Sequence, residues 1–233
     1  MPAHNEEATI DSTIREFHGV ATADLGISVR IIVSEDGSTD DTCDVIRVVA
    51  HDVPVRLLTY PERKGYSRAV IDGLRAADAE IVCFVDSDGQ CDPTDLRSLL
   101  QRIDDHDLVV GFRHPRRDSN FRRAISAMFG TVYRALFPVR LRDPSCPYIA
   151  IRRQALLTVL SGSPGVLKQG FWWEFNARAV AHGLRVAEVP VRHRERTAGQ
   201  TQVYRWQKIP RIAYDHLLGL LALRQELRRL QKS

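Results

Sequence analysis

Short apolar runs alternate with helical patterns through the first half of the chain, and this alternation constrains the fold more than any other feature. Val29–Val33 and Ile81–Val85 are almost continuously apolar, as strands buried on both faces of a parallel sheet are. Val55–Leu58 and Leu108–Val110 have the pattern of further strands, and Arg68–Ala77 that of a connecting helix. The order predicts an α/β fold, with a mostly parallel sheet and helices on both faces. Ligands of such sheets bind beyond the carboxyl ends of the strands.

Composition excludes several classes of protein. Of 233 residues, 44% are hydrophobic, which suffices for a core and excludes a mainly disordered chain. The net charge of +4 comes from 33 basic and 29 acidic residues, too even a balance for a general nucleic-acid binder. The N-terminus has no signal-peptide pattern, and the apolar stretch Leu217–Leu223 is too short to cross a bilayer. The cysteines form no CxxC pattern, which indicates reduced thiols and a cytoplasmic protein.

The second half of the chain is less regular. Helical patterns cover Arg122–Leu136, Ala150–Leu160 and Phe171–His182, and a short strand is predicted at Arg185–Val189. Residues 209–233 are predicted to form an amphipathic helix beside a main domain of residues 1–208.

The C-terminal helix has an apolar stripe bordered by arginines. The stripe consists of Leu220, Leu223, Leu227 and Leu230. It suits docking on the domain, docking on a partner, or a position in the interface of an anionic membrane. These possibilities stay open at this stage, and any membrane contact is expected to be peripheral.

The sharpest chemical feature is an Asp-Ser-Asp sequence at the end of the apolar run Ile81–Val85. Residues i and i+2 of extended backbone point the same way, so Asp86 and Asp88 can face one cation. Mg²⁺ and Mn²⁺ prefer oxygen ligands and complete their shells with water and substrate phosphates. The alternative is that these acids cap the following helix, but Asp92 already has the position of the cap. We therefore predict a metal site here.

A second acidic turn, Glu35–Ser38, follows the run Val29–Val33. Asp36 projects from the strand end, where a ribose or a base edge could meet it. A plain strand-to-helix turn rich in capping residues is the alternative. Because parallel strands bring their carboxyl ends together, this turn is expected near the Asp-Ser-Asp sequence.

Four motifs in order carry a resemblance to a known family. Pro2–Glu7, Glu35–Asp40, Asp86–Gln90 and Gly111–Arg113 resemble the motifs of family 2 glycosyltransferases with the GT-A fold, a Rossmann-like α/β architecture. The resemblance covers nearly the whole chain and is strongest to dolichyl-phosphate mannose synthase-like enzymes. Those enzymes transfer a sugar from a nucleotide-sugar to a polyprenyl phosphate and invert the anomeric centre. The resemblance therefore implies a GDP-mannose or UDP-glucose type of donor and a polyprenyl phosphate acceptor.

The resemblance also implies roles for individual residues. Asp86, Asp88 and Gln90 would hold Mg²⁺ or Mn²⁺, and Arg113 would meet phosphate. The donor site implied in this way contains Pro2, His4, Glu6, Asp36, Asp86, Ser87, Asp88, Gln90, Arg113, Arg196 and Gln202.

Two further segments resemble parts of these enzymes. Arg122 and Ser126, with Arg113, would take the acceptor phosphate, since positions i and i+4 share a helix face. A solvated basic helix start is the alternative. Arg196–Gln202 resembles a mobile loop that closes over the donor diphosphate, although the family often has lysine where Gln202 stands.

The N-terminus departs from the family pattern. There an apolar strand precedes the Pro-Ala-x-Asn-Glu sequence, whereas here Met1 directly precedes Pro2. The sequence thus predicts that the first strand is missing, through truncation or a start codon assigned too late.

The predicted reaction is an in-line attack on the sugar C1, with nucleoside diphosphate leaving. The metal held by Asp88, with Arg113 and Arg196, would stabilise the charge that grows on the diphosphate. A phosphate acceptor needs little general base catalysis because its second pKa is roughly 6. A hydroxyl of a saccharide or small molecule is the alternative acceptor, with Glu174 as candidate base. A nucleotide-sugar binding protein without catalysis is the third possibility.

Overall fold

The computed structural model describes residues 1–114, 120–162, 165, 167, 170–195 and 209–230, with the side chains of 120–126, 209–214 and 230 left out. The strands among these residues are β1 (Pro2–Ala3), β2 (Ile31–Glu35), β3 (Val55–Leu58), β4 (Ile81–Phe84), β5 (Leu108–Arg113), β6 (Ile149–Arg152) and β7 (Val186–Val191). The helices there are α1 (Ile10–Gly19), α2 (Thr42–Val49), α3 (Tyr66–Ala76), α4 (Leu96–Ile103), α5 (Asn120–Leu136), α6 (Arg153–Leu160), α7 (Phe171–Ala181) and α8 (Ile209–Leu230).

The strands form two sheets. In the first, β1, β2 and β3 are parallel and lie in that order. In the second the order is β4, β6, β5, β7, and β6 runs antiparallel to both of its neighbours while β5 and β7 are parallel. The predicted α/β class, with helices on both faces of a mostly parallel arrangement, is confirmed.

One predicted helix is partly a strand. Ala150–Leu160 was expected to be helical, but its first three residues belong to β6, and α6 begins only at Arg153. The strand is buried between β4 and β5, where Ile149 lies opposite Phe84 on one side and Val110 on the other. A fully buried strand shows no alternation of apolar and polar residues, so its sequence pattern resembles that of a buried helix.

The edge at β1 is short. Pro2–Ala3 pairs with Ser34 and Glu35 of β2, and the Met1 amino group donates a hydrogen bond to the Ile32 carbonyl at 2.8 Å. The motif that begins the sequence thus itself forms the strand next to β2.

Helices cover both faces of the first sheet, because successive side chains of each strand point to opposite faces. Ile31 and Val33 pack in one core with Ile14 of α1 and Ile46 of α2. Ser34, the next residue after Val33, points to the other face and lies against α3, where a Cβ built on Gly73 would be 3.4 Å from the Ser34 Cβ.

Helix α8 packs on the main body of the protein. Leu220, Leu223 and Leu227 from the predicted stripe are buried in the core formed with α5 and α7, while the Leu230 side chain lies outside the described residues. Glu226 of α8 forms an ion pair with Arg178 of α7 at 2.9 Å. Across the described parts of the chain, α8 included, we find no helix with the length and apolar character needed to span a bilayer.

Candidate active site

The carboxyl ends of β1, β2 and β4 meet at one edge, where the predicted polar residues lie. Ser87, three residues after the end of β4, is buried and donates a hydrogen bond from its hydroxyl to the Pro2 carbonyl at 2.7 Å. Asp86 and Asp88, on either side of Ser87, are half-buried. This alternation is the one the sequence predicts, with both carboxylates directed away from the core.

Asp86 has a tyrosine as hydrogen-bond partner and a raised pKa. The Tyr66 hydroxyl donates a hydrogen bond to Asp86 Oδ1 at 2.9 Å. Burial, and next the negative charge of Asp88, raise the pKa of Asp86 to about 7, while the positive charge of Arg113 acts in the opposite direction. A divalent cation would relieve the repulsion between the two carboxylates.

The capping alternative does not account for these acids. Asp92 Oδ1 accepts a hydrogen bond from the Thr94 amide at 3.0 Å, so Asp92 caps the turn that leads into α4. Asp88 Oδ1 instead accepts a bond from the Gln90 amide at 3.1 Å, across Gly89, whose φ of +72° allows the tight turn.

The oxygen ligands offered by Asp86 and Asp88 suit a hard cation whose other coordination positions are filled by water and substrate. Within the described residues, no cluster of three or more His, Cys, Asp or Glu side chains is arranged to hold a metal. Two carboxylates, water and substrate phosphates form a usual shell for Mg²⁺, and oxygen donors suit Mn²⁺ as well. The third predicted ligand, Gln90, donates from its side-chain amide to the Arg194 carbonyl at 3.3 Å. Asp86 and Asp88 therefore carry the metal prediction.

Asp36 is buried and holds a neighbouring turn. Its two carboxylate oxygens accept hydrogen bonds from the amides of Lys64 at 2.6 Å and Gly65 at 2.8 Å. This turn lies very close to Gly37, the residue after Asp36: a Cβ built on Gly37 would lie 2.8 Å from the Arg63 amide nitrogen. Asp36 thus fixes the turn that precedes α3 and lines the same edge as Asp86.

The N-terminal motif is bound to the second motif. The Asn5 amide donates to Ser38 Oγ at 3.0 Å, and the Thr39 amide donates to Asn5 Oδ1 at 2.9 Å. Asn5 has a φ of 56°, in the left-handed region, and α1 begins only at Ile10. The Ser38 hydroxyl serves the same link, and α2 begins at Thr42.

Two other predicted donor residues lie on this linked segment. Among the described residues, His4 Nδ1 is buried and has no hydrogen-bond partner. The Glu6 amide donates to Thr42 Oγ1 at 2.9 Å, and the Glu6 carboxylate accepts a bond from the Thr9 hydroxyl at 3.0 Å. A buried nitrogen without a partner is costly unless a ligand or water meets it.

Arg113 is fixed by an acid that the sequence analysis did not single out. Its Nε and Nη2 donate to the two carboxylate oxygens of Asp143, at 2.7 and 2.9 Å, and Nη2 also donates to Ser145 Oγ at 2.8 Å. Glu188 of β7 accepts bonds from the amides of Arg142 and Asp143, which positions Asp143. A bidentate pair of this kind sets both the distance and the plane of the guanidinium.

Glu174 lies inside the protein and is 1% exposed. Its oxygens accept hydrogen bonds from the amides of Gly165 and Leu167 and from Arg178 Nε, at 2.9 to 3.0 Å. These contacts hold the segment before α7, and they do not bring Glu174 into contact with Asp86 or Asp88.

The remaining predicted residues lie wholly or partly outside the described part of the structure. Arg196 and Gln202 lie outside the described residues. Arg122 and Ser126 lie on α5, which confirms the predicted helix, but their side chains also fall outside the described part of the structure.

Comparison with known proteins agrees with this architecture. A sequence model of glycosyl transferase family 2 matches residues 1–160. An uncharacterized glycosyltransferase of Mycobacterium tuberculosis (strain ATCC 25618 / H37Rv) is 32% identical over 210 residues, which cover 87% of each chain. Undecaprenyl-phosphate 4-deoxy-4-formamido-L-arabinose transferase of Klebsiella pneumoniae (strain 342) is 24% identical over 92% of this chain, which spans 64% of that relative, less than two thirds of its length.

Solved structures show the same fold. Glucosyl-3-phosphoglycerate synthase from Mycobacterium tuberculosis in complex with phosphoglyceric acid matches 95% of this chain and 77% of its own, with 23% identity and a TM-score of 0.66. The same synthase in complex with Mn²⁺, UDP-glucose and phosphoglyceric acid matches 96% and 78%, with 23% identity and a TM-score of 0.65. With the family match over most of its length and the fold in common, this chain belongs to glycosyl transferase family 2 and is a glycosyltransferase of the GT-A fold.

Proposed function

We propose that this glycosyltransferase is metal-dependent and inverting, and that it moves a sugar from a nucleotide-sugar to a polyprenyl phosphate. The observation that carries the proposal is the pair Asp86 and Asp88 at the carboxyl edge of the strands, on either side of Ser87, which bonds to Pro2. The UDP-glucose and Mn²⁺ in the related synthase support the donor and the metal. The name of the Klebsiella relative supports the acceptor.

The residues of this chain would divide the work as follows. Asp86 and Asp88 would hold Mg²⁺ or Mn²⁺, which when bound supplies positive charge to the donor diphosphate. Pro2, His4 and Glu6, with Asp36, would line the nucleoside pocket.

Arg113, fixed by Asp143, would face the same diphosphate as negative charge grows on it. The bond between the sugar C1 and the diphosphate oxygen breaks while an acceptor phosphate oxygen bonds to C1 from the opposite side. Because a phosphate monoester is already ionised near neutral pH, no side chain has to remove a proton.

The alternative hydroxyl acceptor loses support from the position of Glu174. A general base has to lie within hydrogen-bond reach of the proton that it removes. Glu174 is buried and bonded to two backbone amides and Arg178, so it has the contacts of a structural residue. Binding without catalysis loses support because the chain belongs to a family of glycosyltransferases.

We also propose that the outer face of α8 meets an anionic membrane, on the cytoplasmic side. Outside the buried stripe, on the exposed side of α8, Leu217, Leu218 and Leu221 are 42% to 48% exposed. Leu217, Leu221, Arg224 and Arg228 are spaced i, i+4, i+7 and i+11, which places leucines and then arginines along one face. Exposed apolar residues next to cationic ones suit the interface of an anionic membrane, where a polyprenyl phosphate would be presented.

Vesicle sedimentation tests this surface. Replacement of Leu217, Leu218 and Leu221 together by serine should abolish sedimentation with phosphatidylglycerol-containing vesicles, whereas Val48→Ser, which alters an exposed apolar residue on α2, should leave it unchanged. Equal sedimentation of the triple variant and the wild type would contradict the proposal.

Transfer of label tests the reaction itself. Labelled GDP-mannose or UDP-glucose is incubated with Mn²⁺ and a polyprenyl phosphate, and label is counted in the organic phase. We expect transfer that is lost with a chelator. Diphosphate release with label only in water-soluble product would show a different acceptor and overturn the lipid assignment.

A further inference from the structure

The first metal-binding carboxylate is bonded to a tyrosine that lies outside the four motifs. We propose that Tyr66, itself oriented by Trp172, is a positioning residue that fixes Asp86 for the cation. This inference rests on the proposed metal-dependent function and adds to it two residues from α3 and α7.

Three groups form a chain of hydrogen bonds with a single possible direction. Trp172 Nε1 lies 2.9 Å from the Tyr66 hydroxyl, and that hydroxyl lies 2.9 Å from Asp86 Oδ1. An indole N–H can only donate, so the Tyr66 oxygen accepts from Trp172 and its own proton is directed to Asp86. The tyrosine proton therefore has no competing acceptor within this chain of bonds.

Both ends of the tyrosine are held. Trp172 is 5% exposed and packs on Phe84, the last residue of β4, with the ring centroids 4.5 Å apart. At the other end, Tyr66 is the first residue of α3 and follows Gly65, whose amide bonds to Asp36. The hydroxyl is thus fixed relative to the strand that carries Asp86.

A fixed donor on Oδ1 orders the carboxylate before the cation arrives. Without this hydrogen bond, the Asp86 carboxylate would have more rotational freedom. Part of the free energy of cation binding would then be lost in ordering the carboxylate. Outer-shell partners of ligating carboxylates typically contribute about 10- to 100-fold to metal affinity or activity. Tyr66 acts through Asp86 and has no direct role in bond making.

A second tyrosine offers a matched control. The Tyr133 hydroxyl donates to the Trp173 carbonyl at 2.7 Å and so ties α5 to α7, one residue away from Trp172. Tyr133→Phe removes the same group and loosens the same helix, but it leaves the bond to Asp86 in place.

The test measures Mn²⁺ affinity by the electron paramagnetic resonance signal of the free ion, with UDP and separately with GDP present. We expect Tyr66→Phe to weaken Mn²⁺ binding by about 10-fold or more. Trp172→Phe should weaken it less, because the hydroxyl remains but is no longer oriented. Tyr133→Phe should bind as the wild type does, and thermal melts of the metal-free variants should show that all are folded.

The outcomes separate this inference from the proposed function. If the wild type binds Mn²⁺ and Tyr66→Phe binds within twofold of it, the positioning role is wrong while the metal site stands. If Tyr133→Phe weakens binding as much as Tyr66→Phe does, the effect is a general one on α7 and the inference is overturned. If the wild type binds no Mn²⁺ with either nucleotide, the metal-dependent function is wrong, and this inference with it.

Discussion

Asp86 and Asp88 are close enough that the charge of one opposes ionisation of the other. Burial and this repulsion together raise the pKa of Asp86 to about 7. Two ionised carboxylates so close together are unfavourable in the metal-free protein, and a bound cation removes the repulsion between them. Metal binding is therefore coupled to the ionisation of the pair.

The raised pKa predicts how metal binding depends on pH. A proton on Asp86 competes with the cation, so Mn²⁺ affinity should rise as pH rises through 7 and then level off. For one proton with a pKa of about 7, the affinity at pH 6 should be about tenfold lower than at pH 8. Titration calorimetry at the two pH values checks this, and equal affinities would show that Asp86 does not ionise on binding.

The contact between Arg113 and Asp143 predicts an effect on catalysis. Asp143→Asn removes the charge and one of the two parallel acceptors, so the guanidinium loses its fixed plane. We expect kcat to fall about 10- to 100-fold, as for other losses of an orienting partner.

Asp107→Asn is the matched control for this prediction. Asp107 forms the same bidentate contact with Arg185, next to the amino end of β5 and away from the site. Steady-state kinetics should show the loss in Asp143→Asn alone. Equal losses in both variants would point to stability rather than to the position of Arg113.

The elements show which parts of the architecture can be predicted from sequence. The strands before Asp36 and Asp86 have continuous apolar runs, which can be identified from the sequence alone. Because each acidic motif follows the end of such a strand, the sequence predicted that the two motifs lie close together. Ala150–Arg152 was mistaken for the start of a helix because this run owes its strand conformation to β4 and β5 on either side. The bond between Asn5 and Ser38 has no local signal either, because the two residues lie 33 positions apart.

The partners of the site residues were missed for a similar reason. Tyr66 lies 20 residues before Asp86, and Asp143 lies 30 residues after Arg113, so no local spacing connects them. The only local signal was the position of Asp143 in an irregular, proline-bearing stretch, where an acid has no helix to cap.

A buried ion pair joins α7 to α8 and predicts a stability effect. Arg178 is 1% exposed and bonds both Glu174 and Glu226. Arg178→Met would leave Glu174 buried without its cation, so the free energy of unfolding should fall by about 3 kcal/mol or more. Urea denaturation measures this.

Arg47→Met provides the comparison for Arg178→Met. Arg47 pairs with Asp44 on the surface of α2, and exposed pairs contribute about 1 kcal/mol at most. An equal effect of the two substitutions would mean that the α7–α8 pair is not important for stability.

For the molecule as a whole, the fold brings separate parts of the chain to one edge. Hydrogen bonds connect four parts of the chain there: the N-terminal motif, the turn after β2, the turn before α3 and the segment after β4. The Asn5 amide and the Ser87 hydroxyl donate two of these bonds, and the Asp36 carboxylate accepts another. The second half of the chain contributes Trp172 directly, through its bond to Tyr66, and Asp143, which fixes Arg113. The site is therefore assembled by the tertiary fold, and a ligand bound there should stabilise the whole protein.

We infer that Asp86 and Asp88 hold a metal-bound nucleotide-sugar at this edge. Titration calorimetry of the wild type and Asp88→Asn with UDP-glucose and GDP-mannose, each with Mn²⁺ and with a chelator, tests this inference. We predict saturable binding of one donor to the wild type with Mn²⁺, weakened by at least about 100-fold with chelator or in Asp88→Asn, since a ligating carboxylate should matter at least as much as an outer-shell partner. Donor binding that is equally strong without metal and in Asp88→Asn would contradict the account.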